Sequence, residues 1–210
     1  MRIIAALSDP SLVPLAEEQG ADMLEFRIDL MEGDIVRELQ SVRNITKLPV
    51  IVTLRSAAEG GRFFGDSGEW ISRIRPFLLH VDYIDIEQRF RTHADEIRKS
   101  GKAIIASYHT GEMHTLSDLF RFERDLRSFG DIVKIIVTPR TKEDIIELIS
   151  FTHAVKQPIC TGVMGQEFRF ARAILPLFGS ELVYCNVGET TAAGQFSVSE
   201  FVSLMRIFKG

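Results

Sequence analysis

Eight short runs of apolar, largely β-branched residues punctuate the chain: Arg2–Leu7, Met23–Asp29, Pro49–Arg55, Tyr83–Glu87, Ala103–His109, Ile132–Thr138, Pro158–Met164 and Leu182–Gly188. Each has the length and residue type of a buried strand. The segments between them carry helical periodicity instead. Asp34-Ile-Val-Arg-Glu-Leu-Gln40 and Trp70–Leu79 place apolar residues three and four apart, as do Leu116–Phe129 and Lys142–Val155, and Ser199–Lys209 reads as a last helix. Ser11, Asp34, Ser117 and Thr141 stand where helix caps are expected. Strand starts recur every 20 to 34 residues, and eight such β-α units describe a closed (β/α)8 barrel. The alternative, a doubly wound open sheet, lacks a Gly-x-Gly-x-x-Gly turn after the first strand.

At 210 residues the chain lies near the lower limit of about 200 for this barrel. We therefore read 1–210 as one catalytic α/β domain with tight loops. No linker, charge run or low-complexity segment suggests a boundary. The formal net charge is −4 and the pI about 5.8, without a basic block, so nucleic acid is not an expected partner. No apolar run approaches the ~20 residues that cross a bilayer, and the first strand begins without a cleavable leader pattern. A cytoplasmic enzyme without membrane association is expected. Cys160 and Cys185 both fall in strand-like runs and read as buried free thiols.

In a (β/α)8 barrel the chemistry sits at the C-terminal ends of the strands, and here those ends are unusually polar. Strand two carries Glu25 and Arg27, followed by Asp29, and strand three ends in Arg55 with Glu59-Gly-Gly shortly after. Asp85 and Glu87 lie on strand four, His109 ends strand five, and Lys134 interrupts the apolar run of strand six. Arg172 follows strand seven, and Thr190–Gln195 follows strand eight. Glu25 and Arg27 share one strand face, as do Asp85 and Glu87. A buried structural ion pair of Lys134 with Asp85 or Glu87 is the plain alternative to a function. His114, just beyond His109, is the rival acid/base.

An amine in such a run suggests a nucleophile. A free lysine is only ~0.04% neutral at pH 7, so desolvation and nearby cations such as Arg27, Arg55 and Arg172 must activate it. The amine would attack a ketone, and the resulting iminium would acidify the adjacent C–H. A histidine could remove that proton and then protonate a departing β-hydroxyl. Several arginines imply an anionic, carboxylate-bearing substrate.

The ordered set Glu25-x-Arg27-x-Asp29, Arg55-Ser-x-x-Glu59-Gly-Gly, Asp85-x-Glu87, Ser107-x-His109, Val133-Lys134-Ile135, Phe178-Gly179-Ser180 and Gly194-Gln195 resembles the type I 3-dehydroquinate dehydratase family. The resemblance implies dehydration of 3-dehydroquinate to 3-dehydroshikimate in the shikimate pathway, with no cofactor or metal and commonly as a homodimer. By that resemblance Lys134 forms the Schiff base, His109 is the general acid/base and Glu59 orients or tunes it. Arg172 corresponds to the carboxylate clamp; Glu25, Arg27, Arg55 and Gln195 hold the ring hydroxyls and close the site. Thr191 keeps a lid hydroxyl.

The chain departs from the family pattern at Phe168 and Ala171, where Gly and Ser are usual, and at Ala193 in place of proline, which predicts looser lid closure. Thr110 replaces an acidic residue, and Ala6 stands where a serine is expected. Without the amino-terminal extension of many bacterial members, side chains alone are expected to seal the barrel bottom. Other readings of the same residues are a class I aldolase for another ketone, a metal-dependent hydrolase built on Asp85, Glu87 and His109, and a non-catalytic carboxylate-binding barrel. The aldolase lacks an evident phosphate site, and the hydrolase leaves Lys134 unexplained.

Overall fold

A computed structural model describes residues 1–188 and 190–209 of the chain. Eight strands form one sheet: β1 Arg2–Leu7, β2 Met23–Arg27, β3 Val50–Thr53, β4 Tyr83–Glu87, β5 Ala103–His109, β6 Ile132–Val137, β7 Ile159–Val163 and β8 Leu182–Asn186. Their spatial order is 7-6-5-4-3-2-1-8, with every ladder parallel. Such an order never reverses direction, so there is no switch point, and the doubly wound alternative falls.

The remaining seam, between β7 and β8, is bridged differently. Glu181 N–H donates to the Ile159 carbonyl at 2.8 Å. The Ser180 hydroxyl accepts Thr161 N–H at 3.0 Å and lies 3.1 Å from the Thr161 carbonyl. A side chain thus satisfies backbone groups that a ladder would otherwise pair, which gives the Phe178-Gly179-Ser180 motif a structural task.

The helices are α1 Val13–Gln19, α2 Ile35–Ile45, α3 Ser67–Ile74, α4 Ala94–Lys99, α5 Leu116–Arg127, α6 Lys142–Ala154, α7 Ala171–Ile174 and α8 Val198–Lys209. Asp34 and Thr141 cap α2 and α6 as expected, Thr141 with a reciprocal Asp144 capping box. Two caps differ from the sequence reading. Thr115, not Ser117, caps α5 by accepting Asp118 N–H, because the cap must sit three residues before the amide it satisfies. Asp9 accepts Ser11 N–H to open a short 3-10 turn ahead of α1, so Ser11 is inside the turn. Strands two, three, six, seven and eight are each shorter than the apolar runs that mark them; Asp29 and Arg55 already belong to loops.

Alternation along the strands divides the core in two. Outward residues such as Ile84, Ile104, Ile135 and Val183 pack on the helices. There Trp70 is fully buried, stacked on Phe90 at 4.9 Å with its indole N–H donating to the Leu54 carbonyl. Inside the barrel, Ile4, Met23, Ile51, Ile105, Ile132 and Leu182 form the apolar floor. Arg2 Nη1 reaches Tyr83 Oη at 3.3 Å, with the guanidinium over the Tyr83 ring. The floor leaves the upper barrel to the polar residues.

Candidate active site

Above the floor, β2 to β6 contribute Glu25, Thr53, Asp85, Ser107 and Lys134. Register places Thr53 beside Asp85 and Ser107 beside Lys134. All are buried; Thr53 and Ser107 are fully inaccessible. Burying this many charges is unfavourable unless each is matched, and the matching converges on Arg55. Its Nη2 donates to Asp85 Oδ1 at 2.8 Å, and its Nη1 lies 3.0 Å from Glu87 Oε1, 3.0 Å from Ser107 Oγ and 3.4 Å from Glu59 Oε2. Burial alone would lower the Arg55 pKa, but Asp85, Glu87, Glu59 and Glu25 outweigh it and hold the guanidinium firmly charged.

The sequence Arg55–Phe63 folds so that this hub and Glu59 face one another. Phe63 N–H returns to the Arg55 carbonyl at 3.1 Å and Gly61 N–H to the Ser56 carbonyl at 2.8 Å, while Ala57–Glu59 form a 3-10 turn. Gly60 has φ +83°, and a Cβ on Gly61 would lie 2.1 Å from the Arg55 carbonyl oxygen. The Gly-Gly pair is therefore what allows the loop to close. Glu87 holds the same loop from below, accepting from Ser56 N–H and Oγ–H at 2.8 and 2.5 Å.

Glu59 Oε2 accepts the backbone N–H of His109 at 3.0 Å and lies 2.9 Å from His109 Nδ1. Burial pushes the Glu59 carboxyl up to about 8, against the lowering pull of Arg55. Burial, then Arg55, Lys134, Arg27 and Arg172, hold His109 well below its ordinary value. His109 is neutral near pH 7. An oxygen that already accepts one N–H from this residue takes the Nδ1 hydrogen as well, which leaves the lone pair on Nε2.

Lys134 Nζ donates to Asp85 Oδ2 at 3.1 Å and lies 3.8 Å from Glu25 Oε1. Of the two partners considered for it, Asp85 is the nearer; Glu87 is taken by Arg55 and Ser56. Asp85 would rise on burial, yet Arg55 and Lys134 bring it below its usual value, so it is anionic. Glu25 accepts from Thr53 Oγ–H at 2.6 Å. Arg27 is fixed by a two-pronged contact to Asp29, both distances 2.8 Å.

The mouth is closed by two loops. Arg172, in α7, donates from Nη2 to the Ala193 carbonyl at 3.3 Å, while its buried Nε has no partner among the described residues. Burial lowers its pKa. Gln195 Oε1 accepts Thr191 Oγ–H at 3.0 Å and Ala192 N–H at 3.2 Å, drawing Thr190–Gln195 into a compact turn. Gly194 has φ +81°, and its Cα sits so close to Gly165 that a Cβ would lie 2.1 Å from the Gly165 carbonyl oxygen.

All nine residues to which the resemblance gives a catalytic or substrate-binding role, Glu25, Arg27, Arg55, Glu59, His109, Lys134, Arg172, Thr191 and Gln195, line one cavity of about 280 Å³. His114 lies outside it, beside Thr110 Oγ1 at 3.1 Å and edge-on to Phe122. Phe168 and Ala171 are buried in the outer core, so at these positions packing replaces the small and polar residues of the family pattern. Tyr184, Cys160 and Met164 also line the cavity and were missed. Strand parity was the available signal: Tyr184 lies two residues from Leu182 and so shares its inward face. Among the described residues no group of three or more His, Cys, Asp or Glu side chains is arranged to hold a metal ion, and no helix is long and apolar enough to cross a membrane.

The model of the type I 3-dehydroquinase family matches residues 8–210. The chain belongs to the type I 3-dehydroquinases. It is 58% identical over 207 residues to a 3-dehydroquinate dehydratase of Methanoregula boonei, covering 99% of both chains. The 3-dehydroquinate dehydratase structure from Aquifex aeolicus VF5 superposes with a TM-score of 0.86 at 28% identity, covering 99% of both chains. That from Geobacillus kaustophilus HTA426 gives 0.88 at 23% identity, covering 99% of this chain and 91% of the other, and shows the same fold. The barrel floor is closed by Arg2, Tyr83 and the apolar layer above them.

Proposed function

We propose that this chain dehydrates 3-dehydroquinate to 3-dehydroshikimate, a hydro-lyase step of aromatic biosynthesis, through a Schiff base on Lys134. The observation that carries the reading is the meeting of a buried amine and a neutral, Glu59-anchored histidine in one cavity of a type I 3-dehydroquinase. The Lys134 amine adds to the substrate ketone, and loss of water gives an iminium. His109 Nε2 then takes a proton from the neighbouring carbon, whose electron pair flows into the iminium as an enamine. The enamine expels the β-hydroxyl, which leaves as water with the proton carried by His109. Water hydrolyses the conjugated iminium, releasing the enone and regenerating the amine, so one water is lost overall.

The surrounding groups have roles that follow from their contacts. Anionic Asp85 faces the cationic nitrogen. Arg172, whose Nε lacks a partner among the described residues, suits the substrate carboxylate. Glu25 and Arg27 face the ring hydroxyls, and Thr191 and Gln195 close the lid. Arg55, saturated by carboxylates, holds Glu59, Asp85 and Glu87 in place and sets the potential around His109. The same reading includes a homodimer in the cytoplasm; exposed Ile207 and Phe208 on α8 support an apolar contact with a second copy.

The test is incubation with 3-dehydroquinate, following the ultraviolet absorbance of the conjugated enone. Wild type is expected to form product, and His109→Ala to lose roughly 10²–10⁴-fold in kcat. A folded wild-type protein that forms no enone overturns the reading.

A further inference from the structure

The barrel-facing side of β8 carries Leu182 and Tyr184, while Val183 and Cys185 pack toward the helices. Tyr184 thereby enters the cavity beside the amine. Lys134 Nζ lies 3.7 Å from the centroid of the Tyr184 ring. Asp85 Oδ2 at 3.1 Å and Glu25 Oε1 at 3.8 Å are the other charged groups about that nitrogen. The Tyr184 hydroxyl is buried and makes no hydrogen bond among the described residues. It is the ring face that meets the Lys134 amine.

We propose that Tyr184 is a further catalytic residue, whose ring face seats the cationic Schiff base formed on Lys134. This rests on the Schiff-base reading of the site and deepens it. An ammonium has three N–H donors with which to satisfy carboxylates. The iminium keeps the positive charge but only one N–H. It also becomes planar, with charge shared between nitrogen and carbon. A contact that needs no hydrogen therefore gains importance as the covalent bond forms. The negative face of an aromatic ring supplies such a contact, and a desolvated setting strengthens it.

The arrangement also keeps substrate chemistry separate from charge balance. Asp85 is shared with Arg55 and Ser107, so its negative charge is already divided among several donors. The Tyr184 face has no other cation over it among the described residues. Packing against the apolar barrel floor holds the ring in place, so the seat exists before substrate arrives. If the ring face is what acts, phenylalanine at this position serves nearly as well, since the hydroxyl makes no hydrogen bond among the described residues.

The experiment keeps the ring's shape and changes its electrostatics. Tyr184→Phe is prepared with phenylalanine and with its mono-, di- and trifluorinated analogues at position 184, each addition draining negative potential from the ring face. The readouts are kcat and the fraction of protein trapped by borohydride at a fixed time with 3-dehydroquinate. Tyr184→Phe is expected to stay within about threefold of wild type, and fluorination to lower both readouts stepwise, to about thirtyfold in all, as for loss of a desolvated cation–π contact. Thermal melting should be unchanged across the series. A flat series in a protein whose wild type is trapped would overturn the role of Tyr184 alone. Absence of any trapped adduct in the wild type would overturn both it and the Schiff-base reading.

Discussion

The backbone N–H and the ring Nδ1 of His109 meet one oxygen, Oε2 of Glu59, at 3.0 and 2.9 Å. That shared acceptor links the end of β5 to the loop after β3. It ties the orientation of the imidazole to a turn closed by Gly60 and Gly61. The same carboxyl touches Arg55, so the acid/base and the buried charge hub form one unit.

The Glu59 carboxyl leaves a signature in the pH dependence of stability. Its folded pKa, about 8, lies above the ordinary carboxyl value of 4.5. Its contribution is thus fully present below about pH 4.5 and is lost as pH rises toward 8. His109, held low, acts in the opposite sense, with stability present above its ordinary value and lost in acid. Glu59→Gln removes only the first. Its melting temperature should fall less than that of wild type between about pH 5 and 9, by at least about 2–4 °C, equivalent to 1 kcal/mol in a protein of this size. Parallel melting curves for the two proteins at every pH would contradict this.

Arg55 should matter first for stability. Arg55→Met leaves Asp85 and Glu87 buried with their main counter-charge gone. A loss of roughly 3–5 kcal/mol in urea unfolding is expected, the usual consequence of breaking a buried pair. A loss below about 1 kcal/mol would place the residue outside the structural hub, since surface pairs contribute no more than that.

Arg172 presents the contrasting case. Its side chain makes a carbonyl contact but no ion pair among the described residues, so removing it strands no carboxylate. Arg172→Ala should raise KM about 10–100-fold, the loss of one charge-assisted hydrogen bond, with little change in melting temperature. Unchanged KM would remove it from the carboxylate site.

Gly194 tests the lid. Alanine there requires a left-handed backbone and a Cβ 2.1 Å from the Gly165 carbonyl oxygen. The loop must lift, at a strain of about 1–2 kcal/mol. Gly194→Ala is expected to lower kcat/KM roughly tenfold or more while the barrel melts normally. Wild-type kinetics would show that docking against Gly165 is dispensable.

Much of this was legible in the residues. Eight β-branched runs marked the strands because a parallel barrel buries both strand faces, and polar strand ends pointed to the site because that is where barrel loops converge. Boundaries slipped where polar loop residues such as Asp29 and Arg55 continued an apolar run. The helices α4 and α7, six and four residues long, were invisible because they are too short to display a period. Contacts across strands were beyond reach for another reason. That Lys134 meets Asp85 rather than Glu87, and that Tyr184 lies over its nitrogen, depends on register and barrel curvature, which no single segment encodes. The Arg55 hub likewise requires four elements to be assembled before it exists.

The proposed chemistry turns on a covalent iminium between Lys134 and a keto acid. Wild-type protein and Lys134→Ala would each be treated with 3-dehydroquinate and borohydride, digested, and mapped by peptide mass. A reduced adduct on the peptide containing Lys134, absent from Lys134→Ala along with turnover, is the predicted result. Turnover by wild type without any adduct, or an adduct on another lysine that persists in Lys134→Ala, would contradict it.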